Sequence, residues 1–236
     1  MTPTLFYGVP QGCSMASLIA LEWLGAPYAL SRIEMLEHPW PEAYTRHINP
    51  LNLTPAYITP EGAVITESQA ILLHLAARQG HQLGYAQGTP EYDRLTQILA
   101  YLNTDFFASF APLWAAYEMA TDPPRQQMLR ELGLPQVAAA CKHLDGLLAT
   151  REWIDGGSKK TVADAYLAAV ARWAEYHSVL QVDAYPHLHA HLSELRADPG
   201  VVFADAIEHG RPATGSGGFQ GHVALDAVVK QLGTRP

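Results

Sequence analysis

The sequence predicts an α/β layer followed by an all-helical domain, and three observations carry that prediction. Short runs of β-preferring residues alternate with helical patterns up to residue 66 and then cease. Two of those runs, 56–59 and 63–66, lie too close together for anything but a hairpin around Glu61-Gly62. From Glu91 onward apolar residues recur at three- and four-residue spacing. The expected organisation is a first domain over 1–80, a linker over 81–90, a helical domain over 91–210 and a C-terminal extension over 211–236.

In order, Thr4-Leu5-Phe6-Tyr7-Gly8 is an apolar run closed by Gly8 and Pro10 and reads as a buried strand. The loop Val9-Pro10-Gln11-Gly12 delivers Cys13-Ser14 to a helix carrying Leu18, Leu21, Trp23 and Leu24, which Gly25-Ala26-Pro27 stops. Residues 28–35 read as a second strand, making a right-handed βαβ unit. A short or irregular helix is expected within 36–48, with Pro41 at its first position. The prolines of Asn49-Pro50 and Thr54-Pro55 exclude helix and central strand there. A helix from Glu67 to about residue 78 follows the hairpin, so the order is β-α-β-α-β-β-α. Beyond the linker, Leu95, Ile98, Leu99, Leu102, Phe106 and Phe110 form one stripe and 126–148 a second. Thr161-Val162-Ala163-Asp164 is a helix-start signature, a hydroxyl with an acid three residues on, ahead of a run apolar nearly all round. Helices over 186–197 and 200–209 close the domain. The tail carries a glycine-serine hinge, Gly215-Ser216-Gly217-Gly218, and one short helix over 223–232.

With 48% hydrophobic and 16% charged residues, the 236-residue chain reads as an ordinary soluble globular protein with a substantial core. A net charge of -8 supplies no basic field, so neither nucleic acid nor an anionic membrane is an expected partner. No basic stretch followed by an apolar one opens the chain, and the apolar runs are too short to span a bilayer, so a cytoplasmic protein is expected. Cys13 and Cys141 form neither a disulfide framework nor a zinc spacing. His187 and His191 share a helix face, but no third ligand joins them at a recognised spacing, and no metal is expected.

The stretch 54–70 concentrates the chemistry. A strand entered through a proline turns back and runs into a helix opening on Glu67-Ser68. A helix N-terminus holds a carboxylate, and an acid beside it holds an ammonium group, so the pair suits an amino-acid head group. The plainer reading is a helix cap, worth about 0.5–2 kcal/mol. For Cys13, alone, the plainer reading is a small apolar residue beneath the first helix.

In this order and spacing the residues resemble the cytosolic glutathione transferases, most nearly the bacterial beta class. The matching pieces are Phe6-Tyr7 with Cys13-Ser14, Ile48-Asn49-Pro50, Thr54-Pro55, Thr66-Glu67-Ser68, Ser109-Phe110-Ala111-Pro112-Leu113, Trp153-Ile154 and Asp164-Ala165-Tyr166-Leu167, across about residues 4 to 209. The resemblance implies a thioredoxin-like first domain that binds glutathione as co-substrate, with no permanently bound cofactor. It also implies a helical domain supplying most of the pocket for a small apolar electrophile, a homodimer, and a role in detoxification. The Thr54–Pro55 bond would be cis, presenting the Thr54 backbone to glutathione's cysteinyl unit as an added strand does. Glu67 and Ser68 fall where the γ-glutamyl group is held. Cys13 falls near the glutathione sulfur, Ser14 is the neighbouring hydroxyl, and Tyr7 is a third candidate, since other classes use a tyrosine from this region. The implied reaction is thiolate attack. A free thiol has a pKa of about 8.5, and a donor beside it raises the thiolate fraction.

Two departures from the beta class stand out. Its members carry a His-Lys pair where this chain has Phe107-Ala108, and Lys-Gly-Gln where it has Leu51-Asn52-Leu53. Contacts to the glycine end of glutathione are therefore fewer, with His38 the nearest substitute and Thr104 and Asp105 candidates from the helical domain. The stripe Phe106, Phe107, Phe110 and Trp114 is core, part of it facing the electrophile. Two other functions fit the same residues: a non-catalytic binding or regulatory protein, and a thiol–disulfide reductase acting through a glutathione–Cys13 mixed disulfide.

Overall fold

The computed structural model describes residues 1–118 and 121–233, with only the backbone at Val182. Strand β1 (Thr4–Val9) is buried at every position, which is why it reads as one continuous apolar run and not as an alternating one. Helix α1 (Met15–Leu24) returns the chain to β2 (Tyr28–Glu34), parallel to β1. Helix α2 (Glu42–His47) leads to β3 (Ala56–Ile58), antiparallel to β1, and β3 turns into β4 (Val64–Thr66). Helix α3 (Ser68–Ala76) completes the expected β-α-β-α-β-β-α order of a thioredoxin-like layer. On one face Phe6 packs with Ile33, Tyr44, Ile48, Ala56 and Ile58.

A helical unit runs from Tyr85 to Ala197. Its helices are α4 (Pro90–Tyr101), α5 (Phe107–Ser109), α6 (Ala111–Glu118), α7 (Pro123–Leu148), α8 (Val162–Tyr176) and α9 (Pro186–Ala197). Between α4 and α5 the chain widens into a π-helical turn, Leu102–Phe106, which a three- and four-residue stripe does not foretell. Phe106 and Phe110 are core, while Phe107 and Trp114 are half-buried. Helix α8 is buried on most of its surface and opens on a capping box. Asp164 accepts from Thr161 N–H at 2.8 Å, and the Thr161 hydroxyl accepts from Ala163 N–H at 3.3 Å.

The chain from Asp198 onward belongs by its contacts with the first eighty-four residues, whereas the expected boundaries place 198–210 in the helical domain and 211–236 in a separate extension. Helix α10 (Pro199–Glu208) packs on α1. Asp198 accepts from Trp23 Nε1 at 2.6 Å, and a Cβ on Gly200 would meet the Trp23 ring at 2.8 Å. The expected glycine hinge is instead a set of close approaches. A Cβ on Gly215 would fall 2.6 Å from Glu22 and 2.8 Å from Phe203, and one on Gly218 would fall 2.5 Å from the Ala26 carbonyl. Ser216 N–H donates to Glu22 at 2.6 Å, and Tyr28 N–H to Gly218 O at 2.9 Å. A strand absent from the sequence reading follows: β5 (Phe219–His222) pairs in parallel with β2, giving the order β4-β3-β1-β2-β5 among the described residues. Helix α11 (Leu225–Gly233) then packs on α2.

Candidate active site

Three loops converge at Cys13. The first is the β1–α1 connection, with a cis Val9–Pro10 bond, a left-handed Gln11 and a Gly12 whose Cβ would lie 2.2 Å from the Gly8 carbonyl. The buried Ser14 hydroxyl closes this loop: it accepts from Gly8 N–H at 3.0 Å and donates to Gly8 O at 3.4 Å. Ser14 thus holds the loop, and Cys13 stands half-buried beside it.

The second loop carries Thr54 and Pro55, joined by the expected cis bond. Tyr44 Oη donates to Leu53 O at 2.7 Å and Asn49 Nδ2 to the same oxygen at 2.8 Å. Gly8 lets the loop approach β1, because a Cβ there would lie 2.3 Å from Thr54 Oγ1. Thr54 N–H finds no partner among the described residues, and Thr54 O faces Cys13 Sγ at 3.9 Å.

The third loop is the junction of β4 with α3. Glu67 is the residue before the helix, at φ 72° and ψ 123°, and its side chain makes no capping bond. Such a torsion at a residue with a Cβ costs about 1–3 kcal/mol and collects at functional sites. The carboxylate is exposed, so plain helix capping does not account for it. Ser68 is buried, and its Oγ donates to Cys13 Sγ at 3.5 Å. Cys13, Thr54 and Ser68 are therefore one cluster, with Glu67 beside it. A helix N-terminus next to a carboxylate suits an amino-acid head group, an outward peptide unit suits an extended backbone, and a thiol suits a second sulfur.

The other predicted residues have surroundings of their own. Tyr7 Oη pairs with His222 Nε2 at 2.9 Å, a partner supplied by β5. Burial pushes the Tyr7 pKa up, partly offset by Arg32, so the group stays a neutral phenol. With Arg32, Ile207, His222 and Leu225 it lines a cavity of about 550 Å³. His38 is exposed and stacks on Trp40, ring centroids 6.1 Å apart. Thr104 and Asp105 are exposed on the π-helical turn of the helical unit, where the Thr104 hydroxyl donates to Ala100 O at 2.9 Å and to Asp105 at 2.7 Å. Cys141 is buried in α7, its thiol pushed up to about 12 by burial. His191 lies 3.2 Å from Asp164 in the cap of α8. Sequence reasoning missed Tyr44, Asn49 and His222. The Asn-Pro turn hinted at Asn49, but no local signal could pair His222 with a tyrosine 215 positions away.

Two family models match the chain: the N-terminal domain of glutathione S-transferase over residues 12–78 and its C-terminal domain over 99–199. Glutathione S-transferase GstA of Escherichia coli O157:H7 is 27% identical over 206 residues, covering 86% of this chain and 98% of that protein. A sphingomonad glutathione S-transferase solved with glutathione superposes with a TM-score of 0.76 at 28% identity, covering 87% of this chain and 98% of that one. A beta-class enzyme of Sphingomonas chungbukensis gives 0.73 at 27% identity, with 87% and 98% covered. Two domain models in the family's order, over a thioredoxin-like layer and a helical unit, lead to one conclusion: the chain belongs to the glutathione S-transferase family.

Proposed function

We propose that this protein binds glutathione at the Cys13 cluster and transfers it to small apolar electrophiles. The observation that carries the reading is the convergence of Cys13 with Ser68 at 3.5 Å and Thr54 at 3.9 Å. Glu67 takes the α-ammonium of the γ-glutamyl unit, while Ser68 and the first N–H groups of α3 take its carboxylate. Thr54 pairs with the cysteinyl backbone, which brings the glutathione sulfur beside Cys13. The Cys13 S–H donates to that sulfur and favours the thiolate, the thiol proton passing to solvent. The thiolate forms a C–S bond to the electrophile, and the leaving group departs with its electron pair. Cys13 is preferred over Ser14 and Tyr7 because the Ser14 hydroxyl is spent on Gly8 and Tyr7 is paired with His222. Within the helical unit, half-buried Phe107 and Trp114 offer the kind of partly exposed aromatic surface that an apolar electrophile takes. No helix among the described residues is long and apolar enough to cross a membrane. A cytoplasmic homodimer acting in detoxification completes the proposal, with no permanently bound cofactor.

Turnover of an aryl halide with glutathione tests this directly, and a chain that binds glutathione without turnover is the non-catalytic alternative. A second reading, glutathione-dependent thiol–disulfide reduction, is favoured by the same position of Cys13. Cys13→Ser should then abolish both a glutathione adduct seen by mass and the reductase activity. Full reductase activity in that variant would remove the reading.

A further inference from the structure

We propose that the C-terminal segment 219–233 sets the affinity for glutathione by clamping the Thr54 loop through Tyr44, an inference that rests on the glutathione reading above. A peptide unit that pairs with ligand backbone helps only as far as it is already held, because ordering it on binding subtracts from affinity. Between Asn49 and Pro55 the loop buries no side chain: Leu51 is 65% exposed and Leu53 55%. What fixes it is the Leu53 carbonyl, which accepts from Tyr44 Oη at 2.7 Å and Asn49 Nδ2 at 2.8 Å. Asn49 is tied back in turn, its N–H to Tyr44 O at 3.0 Å and its Oδ1 to Leu51 N–H at 3.1 Å.

Tyr44 sits on α2, a helix of 6 residues, far too short to hold its own place. Its position is decided by what it packs on. Phe6 and Trp40 meet it edge-on at 5.4 and 5.6 Å. The tail adds to this cover: Val228 of α11 is buried in the cluster that contains Tyr44, and Val223, Leu225, Val229 and Leu232 pack against that cluster. β5 keeps α11 in place by pairing with β2, continued by Val223 N–H to Leu30 O at 2.8 Å. The chain of contacts runs from α11 to Tyr44, to the Leu53 carbonyl, to the Thr54 peptide. The C-terminal family model ends at residue 199, so this clamp is built from chain outside it. Tyr44 and Val228 are positioning residues that touch no ligand.

The test uses full-length protein: Tyr44→Phe, Val228→Ala, the double variant, and Leu188→Ala in the core of α9 as a destabilised control. Glutathione KM and kcat are measured beside the calorimetric Kd. Tyr44→Phe removes only the hydroxyl, and should raise KM and Kd about three- to tenfold while kcat at saturating glutathione changes less than about twofold. Val228→Ala should shift both constants the same way. The double variant should fall short of the product of the two singles, since both act through one carbonyl. Leu188→Ala should lower Tm and leave KM in place. Unchanged Kd in Tyr44→Phe, a multiplicative double variant, or an equal KM rise in Leu188→Ala would overturn the clamp. Absence of glutathione binding by the wild-type chain would overturn the proposed function, and the clamp with it.

Discussion

Glu67 carries a backbone torsion that glycine would accept at less cost, yet it presents an exposed carboxylate beside the start of α3. The proposed ligand role accounts for that choice where helix capping does not. Glu67→Gln should therefore weaken glutathione binding about tenfold or more, the scale of a lost charged hydrogen bond, with Tm unchanged by thermal melts. Glu67→Gly should weaken binding equally while relieving the strained torsion, so its urea midpoint should not fall. The two thiols differ as sharply. With Cys141 buried and pushed up to about 12, alkylation at pH 8 should label Cys13 and spare Cys141, as peptide mass mapping would reveal. His177 gives a pH signature. It is 5% exposed, and burial, with Arg130 nearby, lowers its pKa to about 4. Between that value and the ordinary one near 6.5 the unfolded chain binds the extra proton, so this stability is full above about pH 6.5 and is lost as pH falls toward 4, up to about 3 kcal/mol. His177→Phe should flatten that slope in urea unfolding between those pH values. At this scale the meeting of Cys13, Thr54 and Ser68 was expected from the family resemblance, since Cys13 alone reads as a small buried residue. The duties of Ser14 and Tyr7 were not, because their partners lie across a folded loop and on a distant strand.

The elements themselves were legible wherever periodicity had a single cause. The central strand, the hairpin and the long helices all follow from runs, turns and stripes that fold as they read. The π-helical turn at Leu102–Phe106 escaped because one extra residue in a turn leaves an apolar stripe nearly intact. β5 escaped because a four-residue edge strand containing Gly221 and half exposed looks like loop. Gly215 and Gly218 misled for a related reason: glycine marks close approach as well as flexibility, and only the packed Glu22, Phe203 and Ala26 decide which. Helix α8 allows a sharper test. Asp164 is fully buried and accepts from Ile154 N–H, Thr161 N–H and the Thr161 hydroxyl, with His191 beside it. Asp164→Ala should cost about 3 kcal/mol or more, beyond a simple cap, because it strands several buried donors. Equilibrium unfolding in urea would measure it.

For the molecule as a whole, the family follows from two domain models in order, and the thioredoxin-like layer from its strand order. The segment after Asp198 returns to the first unit, widens its sheet and covers the α2 face of its core. The central claim remains the site at Cys13. The measurement that tests it most directly is the rate at which iodoacetamide alkylates Cys13 as S-methylglutathione is added, since that analogue occupies the site without reacting. Saturable protection is expected, moving to higher ligand concentration in Glu67→Gln. An alkylation rate independent of S-methylglutathione would contradict glutathione binding at this cluster.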